Sequence, residues 1–126
     1  MTSARVLVVE DNVKNMKLFR DVLEAAGFRT LAATTAGEAV DVAAEQGPDL
    51  VLMDIQLPDF DGVEALGRLR ADERTASTPV LALTAQAMDG DRERFLAAGF
   101  DGYLSKPVDI ADFVATVRRH CTENGS

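Results

Sequence analysis

Three observations predict a doubly wound α/β fold for this chain, with five parallel strands each followed by a helix. Val6-Leu7-Val8-Val9, Leu50-Val51-Leu52-Met53 and Val80-Leu81-Ala82-Leu83 are continuous rather than alternating apolar runs, the pattern of strands buried on both faces of a parallel sheet. Helix-like stretches lie between them, several closing on glycine, the usual residue just past a helix end. The order strand then helix repeats five times, which calls for right-handed crossovers and helices on both sheet faces.

Taken in order, the first strand covers Val6 to Val9 and precedes a helix from Lys14 to Ala26 closed by Gly27. A weaker strand at about Thr30 to Ala33 leads to a helix from Ala36 to Gln46, closed by Gly47-Pro48. The third strand, Leu50 to Met53, is followed by a helix from about Gly62 to Ala71. The fourth, Val80 to Thr84, is followed by one from about Gly90 to Ala98. A weak strand at Gly102 to Leu104 precedes the last helix, Ile110 to Cys121. There Ile110, Phe113, Val114 and Val117 fall at i, i+3, i+4 and i+7 and form one core-facing stripe. Thr122-Glu123-Asn124-Gly125-Ser126 is polar and small, so residues 122–126 read as a disordered C-terminal tail behind one domain, residues 1–121.

A chain of 126 residues, 47% hydrophobic, has the size of one domain and buries a single layered core. Its formal charge of −8, from 21 acidic and 13 basic residues, argues against binding nucleic acid or anionic lipid by counterion release. Cys121 is the only cysteine, so no internal disulfide or thiolate metal cluster is expected, and the chain reads as cytoplasmic. The N-terminus enters a short apolar strand, with neither the h-region of a signal peptide nor the length of a membrane span. His120, the only histidine, excludes a histidine-dependent triad or multi-histidine metal site and is expected to face solvent near the end of the last helix. Neither GxGxxG nor GxxxxGK[ST] occurs, so nucleotide binding is unsupported.

Ligands of a doubly wound sheet bind at the carboxyl ends of its strands, near the topological switch point. Glu10-Asp11, Asp54, Thr84 and Ser105-Lys106 each follow a predicted strand, so sheet geometry gathers four separately encoded polar sites on one edge. These are the ingredients for phosphorylating an aspartate. A carboxylate accepts a phosphoryl group when a divalent cation offsets the charge of both partners and fixed donors bind the transferred oxygens. Hard oxygen ligands suit Mg²⁺, with Glu10, Asp11 and Asp54 as candidate ligands and Thr84 and Lys106 as donors. Read singly, each has a blander role: Asp54 as a turn residue, Glu10-Asp11 as a solvated turn before a helix, Lys106 as a surface charge, Thr84 as a β-branched strand residue. Tyr103, the only tyrosine, is expected to be a half-buried aromatic whose ring follows Thr84 inward.

With those residues assembled, the chain from Val6 to about Cys121 resembles the receiver domain of two-component response regulators. Val8-Val9-Glu10-Asp11-Asn12 looks like the family's acidic pair, and Leu52-Met53-Asp54-Ile55-Gln56-Leu57-Pro58 with Asp61-Gly62 is like its phosphorylation loop. Thr84-Ala85 and Ser105-Lys106-Pro107 are similar to the remaining signatures, and Asn12, Asn15 to Phe19 and Thr84 to Asp91 look most like single-domain, cell-division-type receivers and, equally, like receivers fused to hybrid kinases.

The resemblance implies a flavodoxin-like sheet of order 2-1-3-4-5. It makes Asp54 the phosphoacceptor, taking the phosphoryl group of a histidine kinase or histidine phosphotransfer protein. Glu10, Asp11, Asp54 and the Gln56 carbonyl would hold Mg²⁺, with Asp11 the tighter ligand because Glu10 stands where the family often has aspartate. Thr84, Ala85 and Lys106 would bind the phosphoryl oxygens, Thr84 and Tyr103 would form the switch, and Lys106-Pro107 would be a cis-proline loop. Gln56 and Gln86 would tune dephosphorylation without acting as bases. Output would leave through the fourth helix, fifth strand and fifth helix to a protein partner, as a monomer or a weak phosphorylation-dependent dimer.

Two rival functions follow from the same residues. A dehalogenase-like phosphatase needs a second aspartate two positions past Asp54, where Gln56 stands, and a cap for which the chain has no room. A phosphorylation-independent binding module would leave all five site residues without a use.

Overall fold

The computed structural model describes residues 4–55, 62–84, 91–106 and 108–125, by backbone alone at 91, 92 and 122–125. Ten elements alternate along the chain: β1 (Arg5–Val9), α1 (Val13–Ala25), β2 (Arg29–Ala33), α2 (Ala36–Gln46), β3 (Leu50–Asp54), α3 (Gly62–Ala71), β4 (Val80–Thr84), α4 (Asp91–Ala98), β5 (Gly102–Ser105) and α5 (Ile110–Gly125). All strand pairs are parallel and the sheet order is β2-β1-β3-β4-β5, as expected.

Burial explains why three strands were plain in the sequence and two were faint. Every residue of β3 and β4 is buried, and β1 is buried from Val6 onward, so their apolar runs need no alternation. β2 and β5 are the sheet edges and are only partly covered.

Successive side chains of the sheet enter two separate cores. Leu7, Val9, Val51, Met53, Val80 and Ala82 pack with Ala36, Ala39 and Ala43 of α2, Ala65, Leu66 and Leu69 of α3, and Phe95 of α4. Val6, Val8, Leu50, Leu52, Leu81 and Leu83 pack with Phe19 and Leu23 of α1 and Phe113, Val117 and Cys121 of α5. The Phe19 and Phe113 rings stack across α1 and α5, centroids 5.3 Å apart and planes 26° from parallel.

Local chemistry sets the helix ends. α1 starts at Val13, one residue before the expected Lys14, because Asn12 caps it: its Oδ1 accepts from the Asn15 N–H at 3.0 Å. At the sheet's amino edge, Asp101 Oδ2 accepts from the Val80 N–H (2.8 Å) and from Arg70 Nη2 (3.1 Å), which ties the entries of β4 and β5 to α3. The last helix runs to Gly125, four residues beyond the expected Cys121. Polar composition alone does not stop a helix, and Thr122-Glu123-Asn124 contains neither Gly nor Pro.

His120 also departs from expectation. It is half-buried rather than solvent-facing, with Nδ1 2.9 Å from the Thr116 carbonyl oxygen. It lies against Gly102, where a Cβ would stand 3.6 Å from His120 Nε2, an ordinary contact distance.

The buried stack makes Phe113→Ala costly, by about 3–5 kcal/mol in urea unfolding. Burial, helped by Asp49, pushes the Cys121 thiol from its ordinary 9.0 up to about 11. A thiol reagent should therefore leave folded protein unlabelled at pH 8 and label it fully in urea. Because the folded value is the raised one, this contribution to stability is complete below about pH 9 and is lost as pH rises toward 11. Cys121→Ala should lack that component of the alkaline loss.

Candidate functional site

The sheet order brings the sequence's polar landmarks together. The order in which successive strands are added to the sheet reverses between β1 and β3, the switch point of this topology, and the carboxyl ends of β1, β3, β4 and β5 share one edge. Glu10 follows β1 directly. Since Val9 pairs with Met53, the next position places Glu10 beside Asp54, the last residue of β3. Thr84 ends β4 opposite Ser105, and its carbonyl accepts from the Lys106 N–H at 2.7 Å.

Alternation along the strands divides these residues. Glu10, Asp54 and Lys106 continue the series of Val8, Leu52 and Leu104, which faces α1 and α5. Thr84 continues the series of Val80 and Ala82, the face on which Tyr103 packs against the core. Tyr103 is half-buried as expected, its ring centroid 6.0 Å from that of Phe95.

The centre of the site is an ion cluster under cover. Glu10 is 1% exposed, Asp54 6% and Thr84 7%, whereas Asp11 is exposed. Lys106 Nζ donates to Glu10 Oε1 at 2.5 Å and to Asp54 Oδ2 at 2.9 Å. The Asn12 N–H donates to Glu10 Oε2 at 3.2 Å, so the residue that caps α1 also steadies the buried glutamate. One carboxylate oxygen from each of Glu10, Asp11 and Asp54 falls within a 4.8 Å group, a donor set that fits a hard divalent cation.

The electrostatics follow from that geometry. Burial is the main cause of a raised Glu10 pKa; the Lys106 hydrogen bond opposes it and Asp54 adds to it. For Lys106, burial pulls down, but the hydrogen bonds to Glu10 and Asp54 and their charges outweigh it, so its pKa lies above the ordinary lysine value. Two carboxylates thus share one ammonium and the Asp11 carboxylate lies close to both, an excess of negative charge suited to a further cation.

Of the sequence-predicted site residues, Glu10, Asp11, Asp54, Thr84 and Lys106 meet at this edge, with Tyr103 on the Thr84 side. Gln56, Ala85, Gln86 and Pro107 lie outside the described residues. Two further contributors stand in the sequence motifs without an assigned role there. Asn12 was detectable as a helix cap, from its place before the periodic stretch. Gly62 opens α3, and its N–H donates to the Ile55 carbonyl at 3.0 Å. A Cβ at Gly62 would meet the Asp54 carbonyl oxygen at 2.9 Å and Ile55 Cα at 3.1 Å. Only glycine lets α3 begin this close to the backbone of Asp54.

Comparison with known proteins places this geometry among others. The family model of the response regulator receiver domain matches residues 6–118. The polar-differentiation response regulator DivK of Brucella ovis is 47% identical over 115 residues, 91% of this chain and 94% of the relative. Among solved structures, the receiver domain of sensor histidine kinase PA1611 from Pseudomonas aeruginosa has a magnesium ion coordinated in its active site cleft. It is similar to this chain with a TM-score of 0.88 and 36% identity, over 96% of this chain and 99% of that one. The chemotaxis response regulator CheY4 of Vibrio cholerae reaches a TM-score of 0.88 at 27% identity, over 94% and 99%.

Two glycines of α3 make a controlled pair. Gly62→Ala should destabilise the fold by about 1–3 kcal/mol, because backbone rather than a movable side chain stands in the way. At Gly67 a Cβ meets nothing within 4 Å, so Gly67→Ala should stabilise by about 0.5–1 kcal/mol. Urea titrations of both variants measure the contrast.

Proposed function

The chain belongs to the response regulator receiver domain family, and from that membership we propose that it is a phosphoacceptor switch in which Asp54 receives a phosphoryl group from a phosphohistidine. The observation that carries this reading is the buried Asp54 carboxylate, clustered with Glu10 and Asp11 and held 2.9 Å from Lys106. An Asp54 oxygen attacks phosphorus, the phosphorus–nitrogen bond to the donor imidazole breaks, and an acyl phosphate remains.

Glu10, Asp11, Asp54 and the Gln56 carbonyl would hold Mg²⁺, which when bound supplies positive charge opposite the nucleophile and the transferred oxygens. Lys106 and Thr84, with the backbone at Ala85, bind those oxygens and compensate their charge. On this reading Thr84 moves toward the phosphoryl group and the Tyr103 ring fills the space on the same sheet face. Gln56 and Gln86 orient the hydrolytic water but cannot take its proton, which gives the acyl phosphate an intermediate lifetime.

The donor is a sensor histidine kinase or a histidine phosphotransfer protein. The altered surface of α4, β5 and α5 is read by a downstream protein, the receiver acting as a monomer or a weak phosphorylation-dependent dimer in the cytoplasm. The receiver unit is residues 1–121. Receiver domains are signalling domains rather than conventional enzymes. Among the described residues, no helix is long and apolar enough to cross a membrane.

Incubation with Mg²⁺ and acetyl phosphate, followed by intact mass measurement, tests the reading. Wild type should gain one phosphoryl group, about 80 Da, only when Mg²⁺ is present, and Asp54→Asn should gain none. A folded wild type that gains no mass from any donor would turn the assignment toward a phosphorylation-independent binding module.

A further inference from the structure

Glu10 and Lys106 are 96 positions apart in sequence, and their strands, β1 and β5, are separated in the sheet by β3 and β4. Lys106 nevertheless spans that distance, and its ammonium lies between Glu10 Oε1 and Asp54 Oδ2. Both carboxyl groups belong to the set that fits a divalent cation. Magnesium sits about 2.0–2.1 Å from its oxygen ligands, so a cation on Asp54 would stand close to the Lys106 ammonium, and the two positive charges would repel.

We infer that Lys106 is a built-in competitor for the divalent cation and that Glu10 is the positioning residue that holds it in place. The inference rests on the cation site of the proposed function. Metal-free, the Lys106 ammonium bridges the buried carboxylates of Glu10 and Asp54 and offsets part of their charge. Cation binding transfers Asp54 from Lys106 to the metal and leaves Lys106 tethered to Glu10, with its Asp54-facing hydrogens available to a transferred oxygen. Charge on the acceptor and readiness of the donor are thereby set in one step.

The length of Glu10 matters. An aspartate at position 10 ends one carbon–carbon bond earlier, about 1.5 Å, which would open its 2.5 Å contact with Lys106 to a distance too long for a hydrogen bond. Glu10→Asp keeps the charge of the site while shortening every reach of this carboxylate, to Lys106, to the Asn12 N–H and to a cation alike. Compared in the presence and absence of Lys106, it separates a tether from the other roles of Glu10, which Lys106→Met alone would not.

Calorimetric titration with MgCl₂ of wild type, Lys106→Met, Glu10→Asp and the double variant tests the arrangement, with circular dichroism to confirm folding. Lys106→Met should bind Mg²⁺ about tenfold more tightly than wild type, within the usual range for coupled sites. Glu10→Asp should gain severalfold, and that gain should vanish in the Lys106→Met background. An equal gain in both backgrounds, or no gain from Lys106→Met, overturns the tether while leaving the cation site standing. If no protein takes up Mg²⁺, the proposed site fails and the tether with it. The Lys106 ammonium signal in ¹⁵N-lysine-labelled wild type supplies a check free of any variant: it should shift as Mg²⁺ saturates, and an unmoved signal overturns the inference.

Discussion

Burial of β1, β3 and β4 on both faces is the constraint from which the rest of this molecule follows. Strands enclosed by α2, α3 and α4 on one side and by α1 and α5 on the other have no solvated face for a polar side chain. Polar residues of these strands are therefore confined to the ends, where the hydrogen-bonded ladder gives way to loops. Because all five strands are parallel, every carboxyl end lies on one edge, and the polar residues of four strands converge there.

The convergence carries an electrostatic debt that the fold itself settles. Glu10 and Asp54 are nearly inaccessible, and a buried carboxylate is stable when hydrogen-bonded and paired. Lys106 pairs with both, and the Asn12 N–H takes the second Glu10 oxygen. The arrangement is neutralised only in part, since one ammonium faces two carboxylates and Asp11 adds a third at the rim. Incomplete neutralisation is the property a cation site needs: a fully compensated cluster has no affinity left, and an uncompensated one destabilises the fold.

The side on which each polar residue sits has a second consequence. Glu10, Asp54 and Lys106 lie toward α1 and α5, and Thr84 lies toward the Tyr103 and Phe95 side. Charge chemistry and aromatic packing thus occupy opposite faces of one sheet and meet at its edge. A displacement of Thr84 alone, the terminal residue of β4, would connect them without disturbing the central strands.

Local patterns in the chain determined the five strand-then-helix units, the fully buried character of the three central strands and the polar residue that follows each. Those features rest on continuous apolar runs, on the helical period of 3.6 and on cap and turn chemistry, all readable within a window of a few residues. The edge strands were faint because half-covered strands lack a continuous apolar run. The end of α5 was misplaced because polarity does not by itself terminate a helix. His120 was misread because its cover comes from Gly102, on another element. What only the tertiary structure decided is distance: that the side chain of Lys106 crosses β4 and β3 to reach Glu10, and that α3 begins against the carbonyl of Asp54 with room for Gly62 alone. Such contacts depend on how helices and strands pack side by side, and no periodicity along a chain encodes the spacing between elements that are neighbours only after folding.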